Sequence, residues 1–404
     1  MRVEIEKSIA KGEIVAPTSK SMAHRLLIAA AMCEGESEIH GVSFSEDVLA
    51  TIDCLSTLGV KTRRCGDSVT VFGTDFTSAM PKEPLMCRES GSTLRFLIPL
   101  AWLSGNTVTL CGSEKLLSRP QGVYEDIAEK NGLLFINDGK TISVRGPLKS
   151  GEYAVRGDVS SQFITGLILA LSALDEDSKI RITTPLESRS YINLTLSAMA
   201  QFGVEVIWED ALTIYVKGGQ KYTAKSATVE GDWSGAAFTD VFNHLGGEVR
   251  LSGLNENSMQ GDRVYRELFD MLDEGCPEIN LEDCPDLAPI LFTLACMKNG
   301  ATFTGTRRLK IKESDRAEVM REELSKFGAD ICVMENKVRV SPALLHTPTE
   351  ILSGHNDHRV VMSLCVIASV YGGVIDGAEA VSKSYPDFFD DIKKLGIKFR
   401  SYEV

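Results

Sequence analysis

Hydrophobic and polar positions along this chain fall into two recurring patterns. The first is an amphipathic helix that stops at a glycine and runs into a short alternating strand. It occurs as LSTLGVKTRR, IAEKNGLLFI, MAQFGVEVIW, MLDEGCPEIN, LSKFGADICV and IKKLGIKFRS, with the glycine at Gly59, Gly132, Gly203, Gly275, Gly328 and Gly396. A glycine there predicts a helix C-terminus, because it takes the left-handed conformation that satisfies the last carbonyls at little steric cost. In four copies a turn and a second strand follow, as GDSVTVFG, DGKTISVRG, EDALTIYVKGG and ENKVRVSP; the fourth copy is less regular and the sixth ends the chain.

The second pattern is a polar turn followed by a helix crowded with Ala, Leu, Ile and Ser. Its copies are SKSMAHRLLIAAAM, SGSTLRFLIPLAWLSG, VSSQFITGLILALSAL, GDWSGAAFTDVFNHLGG, CPDLAPILFTLACMKNG and NDHRVVMSLCVIASVYGG. A helix apolar on nearly every side belongs in a core, with its amphipathic neighbour covering the outside. Together the patterns predict a unit of two helices and about four strands that recurs roughly every 70 residues. Six such units, arranged three and three, predict an α/β protein of two similar domains. The shorter fourth unit marks the boundary, and VEGDWSGAAF opens the second half.

Length and composition fit this picture: 404 residues suffice for two or three cores, and 43% hydrophobic with 25% charged residues is a globular balance. The formal net charge of -13, without a Lys/Arg-rich block, argues against nucleic-acid binding through bulk positive potential. The most apolar stretches, FITGLILALSAL and VVMSLCVIASV, fall short of the roughly 18 residues of a membrane span. The start, MRVEIEKSIAKGE, alternates charges where a signal peptide would be apolar, so a cytoplasmic protein is expected. The ten cysteines form no C-x-x-C pair, and several (Cys33, Cys296, Cys365) lie in helix-like runs, so they read as reduced core thiols. His355 and His358 in GHNDHR are the one close histidine pair. With no Cys or carboxylate triad at ligand spacing around them, no metal site is expected.

Candidate chemistry sits at the helix heads. Ser19 and Ser21 suit a helix N-terminus as caps, but Lys20 and Arg25 place cations at the positive end of the helix dipole, where an anion would compensate them. The anomaly repeats at Arg95 in ESGSTLR, Arg119 in LLSRPQG, Arg316 in IKESDR and Arg359 in NDHR. Guanidinium forks bind carboxylate and phosphate through paired hydrogen bonds. Heads converging from both domains on one cleft would make a site for one or two polyanionic small molecules. RRLKIKESDRAEVM brings Lys312, Glu313, Asp315 and Arg316 into one turn, and Asp286 heads another buried helix. A carboxylate among such cations is either an ion-pair partner with a lowered pKa or a base for a substrate hydroxyl. Neither a phosphate loop, a dinucleotide fingerprint nor G-x-S-x-G is present, which disfavours nucleotide-dependent and serine-nucleophile chemistry.

Over its whole length and in order, the chain carries APTSKSMAHR, ESGSTLR, SRPQG, GDVSSQFITGLILA, ESRSYINLTL, VEGDWSGAAF, PDLAP, KIKESDR, NDHRVVM and SKSYPDF. In this set it resembles the 3-phosphoshikimate 1-carboxyvinyltransferases of the enolpyruvyl transferase family. The resemblance implies two similar domains, each of three βαβαββ repeats in an inside-out α/β barrel, at about 18–228 and 1–17 plus 229–404. The two crossovers would be the hinge on which the domains close. It implies transfer of enolpyruvyl from phosphoenolpyruvate to the 5-hydroxyl of shikimate 3-phosphate, without metal or organic cofactor, by a cytoplasmic monomer.

By motif, Lys20, Ser21, Arg25, Ser160, Ser161, Gln162, Ser188, Tyr191, Asp286 and Lys312 look like ligands of shikimate 3-phosphate. Lys20, Gly91, Arg119, Gln162, Arg316, Arg359 and Lys383 look like ligands of phosphoenolpyruvate, Gly91 because only a missing side chain lets the backbone come close. Asp286 would be the base for the hydroxyl, Glu313 the acid/base group at the methylene carbon, and Lys20 a further proton-transfer group. Two positions depart from the family pattern. Glu89, where Asn is common, reads as outward-facing or paired with Arg88, and Arg308 stands where some members carry a polar amide. The rival readings are the sister UDP-N-acetylglucosamine enolpyruvyl transferase, many of whose members carry a reactive Cys where this chain has SEKLLSRP, and a non-catalytic anion-binding scaffold.

Overall fold

Six runs of mostly apolar sequence form the buried helices of the computed structural model, which describes residues 1–403. They are Lys20–Ala31, Gly91–Ala101, Ser161–Leu171, Trp233–Asp240, Ala288–Met297 and His358–Tyr371. Five start on a side-chain cap: Ser19 accepts from the Met22 N–H, Ser90 from Thr93, Ser160 from Gln162, Asp232 from Ser234 and Asp357 from Arg359. Each cap is worth about 1 kcal/mol and fixes where its helix begins, hence which residues stand at its head. The sixth helix is entered through the short 3-10 turn Pro285–Leu287, which carries Asp286.

The amphipathic helices Glu46–Thr57, Gly122–Asn131, Arg189–Gln201, Tyr265–Glu274, Arg316–Ser325 and Phe388–Lys394 alternate with these. Five of the six junction glycines adopt positive φ, at Gly59, Gly132, Gly203, Gly328 and Gly396. Gly275 does not: its φ of 179° is extended. There the chain leaves helix Tyr265–Glu274 straight into Glu278–Asn280, which opens the next sheet, so no hairpin follows and no reversal is needed.

Sheet topology repeats with the sequence. The chain divides into two compact units, Thr18–Glu230 and Met1–Pro17 with Gly231–Val404, each with its own apolar core. A sheet is a parallel pair extended by an antiparallel hairpin, as in Leu85–Met86, Val108–Cys111, Thr141–Arg145 and Leu134–Asn137. Four sheets follow this plan, and a fifth has the same order, Leu352–Ser353, Gly373–Asp376, Arg2–Ile5 and Phe399–Tyr402, with its antiparallel pair drawn from distant parts of the sequence in place of a hairpin. The fourth unit has only the parallel pair Lys11–Val15 and Glu248–Ser252, because its hairpin is missing. The first sheet of Thr18–Glu230 takes its outer strand, Ser226–Thr228, from the far end of that unit. Where the chain passes between units its two strands run side by side: the Ser19 N–H donates to Glu230 O at 2.8 Å and the Asp232 N–H to Pro17 O at 2.7 Å.

All ten cysteines are free thiols. Cys33, Cys296 and Cys365 are buried as expected, but Cys65, Cys276 and Cys332 are exposed. Cys65 ends the exposed strand Lys61–Cys65, and Cys332 lies at an outward position of Asp330–Met334.

Candidate active site

In the unit Thr18–Glu230, the first two turns of helix Lys20–Ala31 carry Lys20, Ser21 and Arg25. Lys20 Nζ donates to Asp47 Oδ2 at 2.8 Å, near the start of helix Glu46–Thr57. Arg25 is buried and spends its fork within the unit, donating to Thr195 Oγ1 at 2.8 Å, Ser21 O at 2.7 Å and Tyr191 O at 3.0 Å. Burial pulls its pKa down to about 10. These bonds join helix Lys20–Ala31 to helix Arg189–Gln201, whose cap Ser188 holds left-handed backbone at φ 59°. Such a conformation costs a non-glycine residue about 1–3 kcal/mol and persists only where its surroundings impose it.

His24 turns inward from the same helix head. Its Nδ1 lies 2.7 Å from Thr51 Oγ1, Thr51 bonds Thr93 at 2.7 Å, and Thr93 donates to Ser90 Oγ at 2.7 Å. A buried hydroxyl chain thus links that helix to the cap of helix Gly91–Ala101. Burial first, then the charges of Lys20 and Arg25, hold the His24 pKa well below its ordinary value, so the imidazole is neutral.

Gly91, Arg119 and Gln162 meet at one point: a Cβ on Gly91 would lie 3.1 Å from Arg119 Nη1 and 3.6 Å from Gln162 Oε1. Gln162 is fixed at both ends, accepting from Arg95 Nη1 at 2.8 Å and donating to Ser92 Oγ at 3.0 Å. Ser160 and Ser161 are buried at the start of the same helix as Gln162. The buried Nε of Arg119 has no hydrogen-bond partner among the described residues.

In the second unit the centre is Asp286. Its Oδ1 accepts from Arg316 at 2.8 Å and from Lys312 at 3.2 Å, and its Oδ2 accepts from Arg359 at 3.1 Å. Burial alone would raise its pKa, but Arg359, Lys312 and Arg316 outweigh burial and hold the carboxyl well below the ordinary range. Lys312 is lowered as well, for the opposite reason. Burial is stronger than the pull of Asp286, Arg308 and Arg316 add repulsion, and its pKa falls to about 8. Arg316, 2% exposed, also grips Asp357 at 2.9 and 3.3 Å and lies 3.9 Å from Glu313. Glu313 Oε2 lies 3.0 Å from His358 Nδ1. Lys383 is buried and donates to Asn356 O at 2.6 Å. Beneath them, burial and the charge of Asp286 push the Asp262 carboxyl, which accepts from Ser234 Oγ, up to about 7.

The sixteen residues expected from motif therefore fall into two sets. Lys20, Ser21, Arg25, Gly91, Arg119, Ser160, Ser161, Gln162, Ser188 and Tyr191 belong to one unit, and Asp286, Lys312, Glu313, Arg316, Arg359 and Lys383 to the other. Sequence reasoning did not find Asp47, Asp357, Asp262 or the His24–Thr51–Thr93 chain. Asp47 and Asp357 read as ordinary acids at helix starts in SFSEDVLA and NDHR, and their ion pairs are non-local. The histidine pair also differs from its expectation: Glu313 and Asp357 surround His358, and Glu322 and Glu323 surround His355, with ligand atoms in each set within 4.8 Å. Cations meet both sets, Arg316 at Asp357 and Lys326 at Glu323. The Arg88 fork offered for Glu89 is engaged with Glu46 and with Asp53 at 2.7 Å.

Known proteins share this organisation. The family model for EPSP synthase (3-phosphoshikimate 1-carboxyvinyltransferase) matches residues 5–274 and 264–392. A 3-phosphoshikimate 1-carboxyvinyltransferase from Clostridium kluyveri is 39% identical over 428 aligned positions, covering 100% of this chain and 99% of its own. That of Clostridium perfringens is 36% identical over 417, with 98% of each chain covered. Among solved structures, an EPSP synthase from Acinetobacter baumannii superposes with a TM-score of 0.79 over 100% of both chains at 21% identity. The enolpyruvyl transferase NikO from Streptomyces tendae superposes with a TM-score of 0.77 at 14% identity, over 99% of this chain and 98% of its own. At those identities the structures establish the mixed α/β fold. The family model, over residues 5–392, and the sequence relatives, over 98–100% of the chain, go further, so this chain belongs to the EPSP synthase family.

Proposed function

We propose that the chain transfers the enolpyruvyl group of phosphoenolpyruvate to the 5-hydroxyl of shikimate 3-phosphate and releases phosphate, a step of aromatic amino-acid biosynthesis. The observation that carries the reading is the Asp286 carboxylate gripped by Lys312, Arg316 and Arg359, a carboxylate set among cations inside a family match over residues 5–392.

The reaction is redox-neutral. The hydroxyl oxygen bonds to C2 of phosphoenolpyruvate while C3 gains a proton, giving a tetrahedral ketal; C3 then returns a proton as phosphate leaves. Asp286 takes the hydroxyl proton. In the free protein its low pKa makes it a weak base, but Arg316 and Arg359 would turn to the carboxylate and phosphate of phosphoenolpyruvate. Burial then acts with less opposition, and the basicity of Asp286 rises when substrate is present. Glu313, whose Oε2 meets His358, handles the proton at C3, with Lys20 as a further donor. Lys20, Ser21, Arg25, Ser160, Ser161, Gln162, Ser188, Tyr191 and Lys312 hold shikimate 3-phosphate. Gly91, Arg119, Gln162, Arg316, Arg359 and Lys383, with Lys20, hold phosphoenolpyruvate. The cations stabilise charge that develops on the phosphate as it leaves. The sequence of steps needs no metal or organic cofactor.

We assign the protein to the cytoplasm as a monomer that hinges at its two crossovers. Ten free thiols suit a reducing compartment, and no helix among the described residues is long and apolar enough to cross a membrane. The experiment is phosphate release from phosphoenolpyruvate with shikimate 3-phosphate and UDP-N-acetylglucosamine as competing acceptors. Release with shikimate 3-phosphate alone is expected, and Asp286→Ala should cut kcat by about 10²–10⁴. Release with the UDP-sugar alone, or with neither, would overturn the reading.

A further inference from the structure

We propose that Glu323 is a positioning residue that sets Arg359 and Lys383 through the short strand Leu352–Ser353 and the turn at residues 354–357 that follows it; this rests on the reading of those two cations as phosphoenolpyruvate ligands. Glu323 lies in the last turn of helix Arg316–Ser325, and its side chain is 0% exposed. A carboxylate so removed from water is costly unless its oxygens are filled. Oε1 meets His355 Nε2 at 2.8 Å and Lys326 Nζ at 2.9 Å, while Oε2 accepts from the Ser353 N–H and from Lys326 Nζ, both at 2.9 Å. Lys326 Nζ reaches on to Ile351 O at 3.2 Å. One carboxylate and its lysine thus grip the strand Leu352–Ser353 and the turn after it, at residues 351, 353 and 355.

The gripped loop is strained. His355 and Asn356 are consecutive non-glycine residues with φ of 48° and 53°. Each left-handed residue costs about 1–3 kcal/mol and relaxes if nothing holds it. The conformation points Asn356 O at Lys383 Nζ, 2.6 Å away, and delivers the chain to Asp357, which caps helix His358–Tyr371 by accepting from the Arg359 N–H at 3.0 Å. Helix Arg316–Ser325 therefore holds this corner from both ends, through Arg316 on Asp357 and through Glu323 on the loop before it. Glu323 touches neither Arg359 nor Lys383 in any of these bonds; it acts through backbone.

The test is Glu323→Gln, which keeps volume but turns an amide N–H₂ toward groups that donate. The KM for phosphoenolpyruvate should rise about tenfold while that for shikimate 3-phosphate stays within about twofold. Hydrogen exchange at residues 353–357 should quicken about tenfold with other helices unchanged. His355→Gln, which still donates to Glu323, should retain wild-type KM values, and His355→Ala should not. If Glu323→Gln does not fold, Lys326→Met removes the Ile351 grip and should raise the phosphoenolpyruvate KM about threefold. Equal rises in both KM values, or unchanged exchange in the loop, would overturn the proposal. Absence of turnover in the unmodified protein would instead overturn the proposed function, and the exchange measurement would still decide whether Glu323 holds the loop.

Discussion

Lys312 and Asp286 stand 3.2 Å apart, yet the same surroundings displace both downward. Burial disfavours the charge on each, but Asp286 has three cations against it and Lys312 has one carboxylate against two arginines. The consequence is a pH dependence with a definite sign. Asp286 is ionised across the neutral range and gives no limb there. Lys312 is protonated below about pH 8 and neutral above it. Because kcat/KM reports free-enzyme ionisations, kcat/KM for shikimate 3-phosphate should fall about tenfold per pH unit above that point. Lys312→Arg, whose guanidinium keeps its proton, should move the limb beyond about pH 10. A limb that stays at pH 8 in Lys312→Arg would show that another group titrates there.

Helices supply the two kinds of information in this fold, and only one is periodic. Core faces repeat along the sequence, so the six apolar helices, five of their caps and the glycine stops were legible, although Gly275 ends its helix in extended backbone. Cation-bearing heads were legible as local anomalies at Lys20, Arg25, Arg316 and Arg359. What answers those cations was not, since Asp47, Asp357 and Asp262 reach them across 27, 41 and more residues through tertiary packing. The individual roles came from motif resemblance, not from spacing. Asp357 concentrates the difference: an N-cap by sequence, it is also the buried partner of Arg316 and the acceptor of Ser314 Oγ at 3.0 Å. Asp357→Asn keeps a cap but leaves a 2% exposed guanidinium short of one charge. It should cost about 3 kcal/mol in urea unfolding, well beyond the roughly 1 kcal/mol of a lost cap.

At the scale of the molecule, a chain of net charge -13 gathers cations locally, as Lys312, Arg316 and Arg359 do around Asp286, in place of a bulk positive potential. Two cores divide the stability, one per unit. The paired crossovers, Ser19 with Glu230 and Asp232 with Pro17, mean that Thr18–Glu230 begins and ends at neighbouring points. Expressed alone, residues 18–230 should melt cooperatively in urea with native-like circular dichroism; a non-cooperative melt would count against a self-sufficient core. The remainder can be viewed as a host protein carrying a guest of equal standing. Pro17 and Asp232 are already within a hydrogen bond of each other, so excision of the guest calls for a splice of a residue or two and no new loop. The same proximity would let the guest be circularly permuted, with its old ends fused and new ones opened elsewhere.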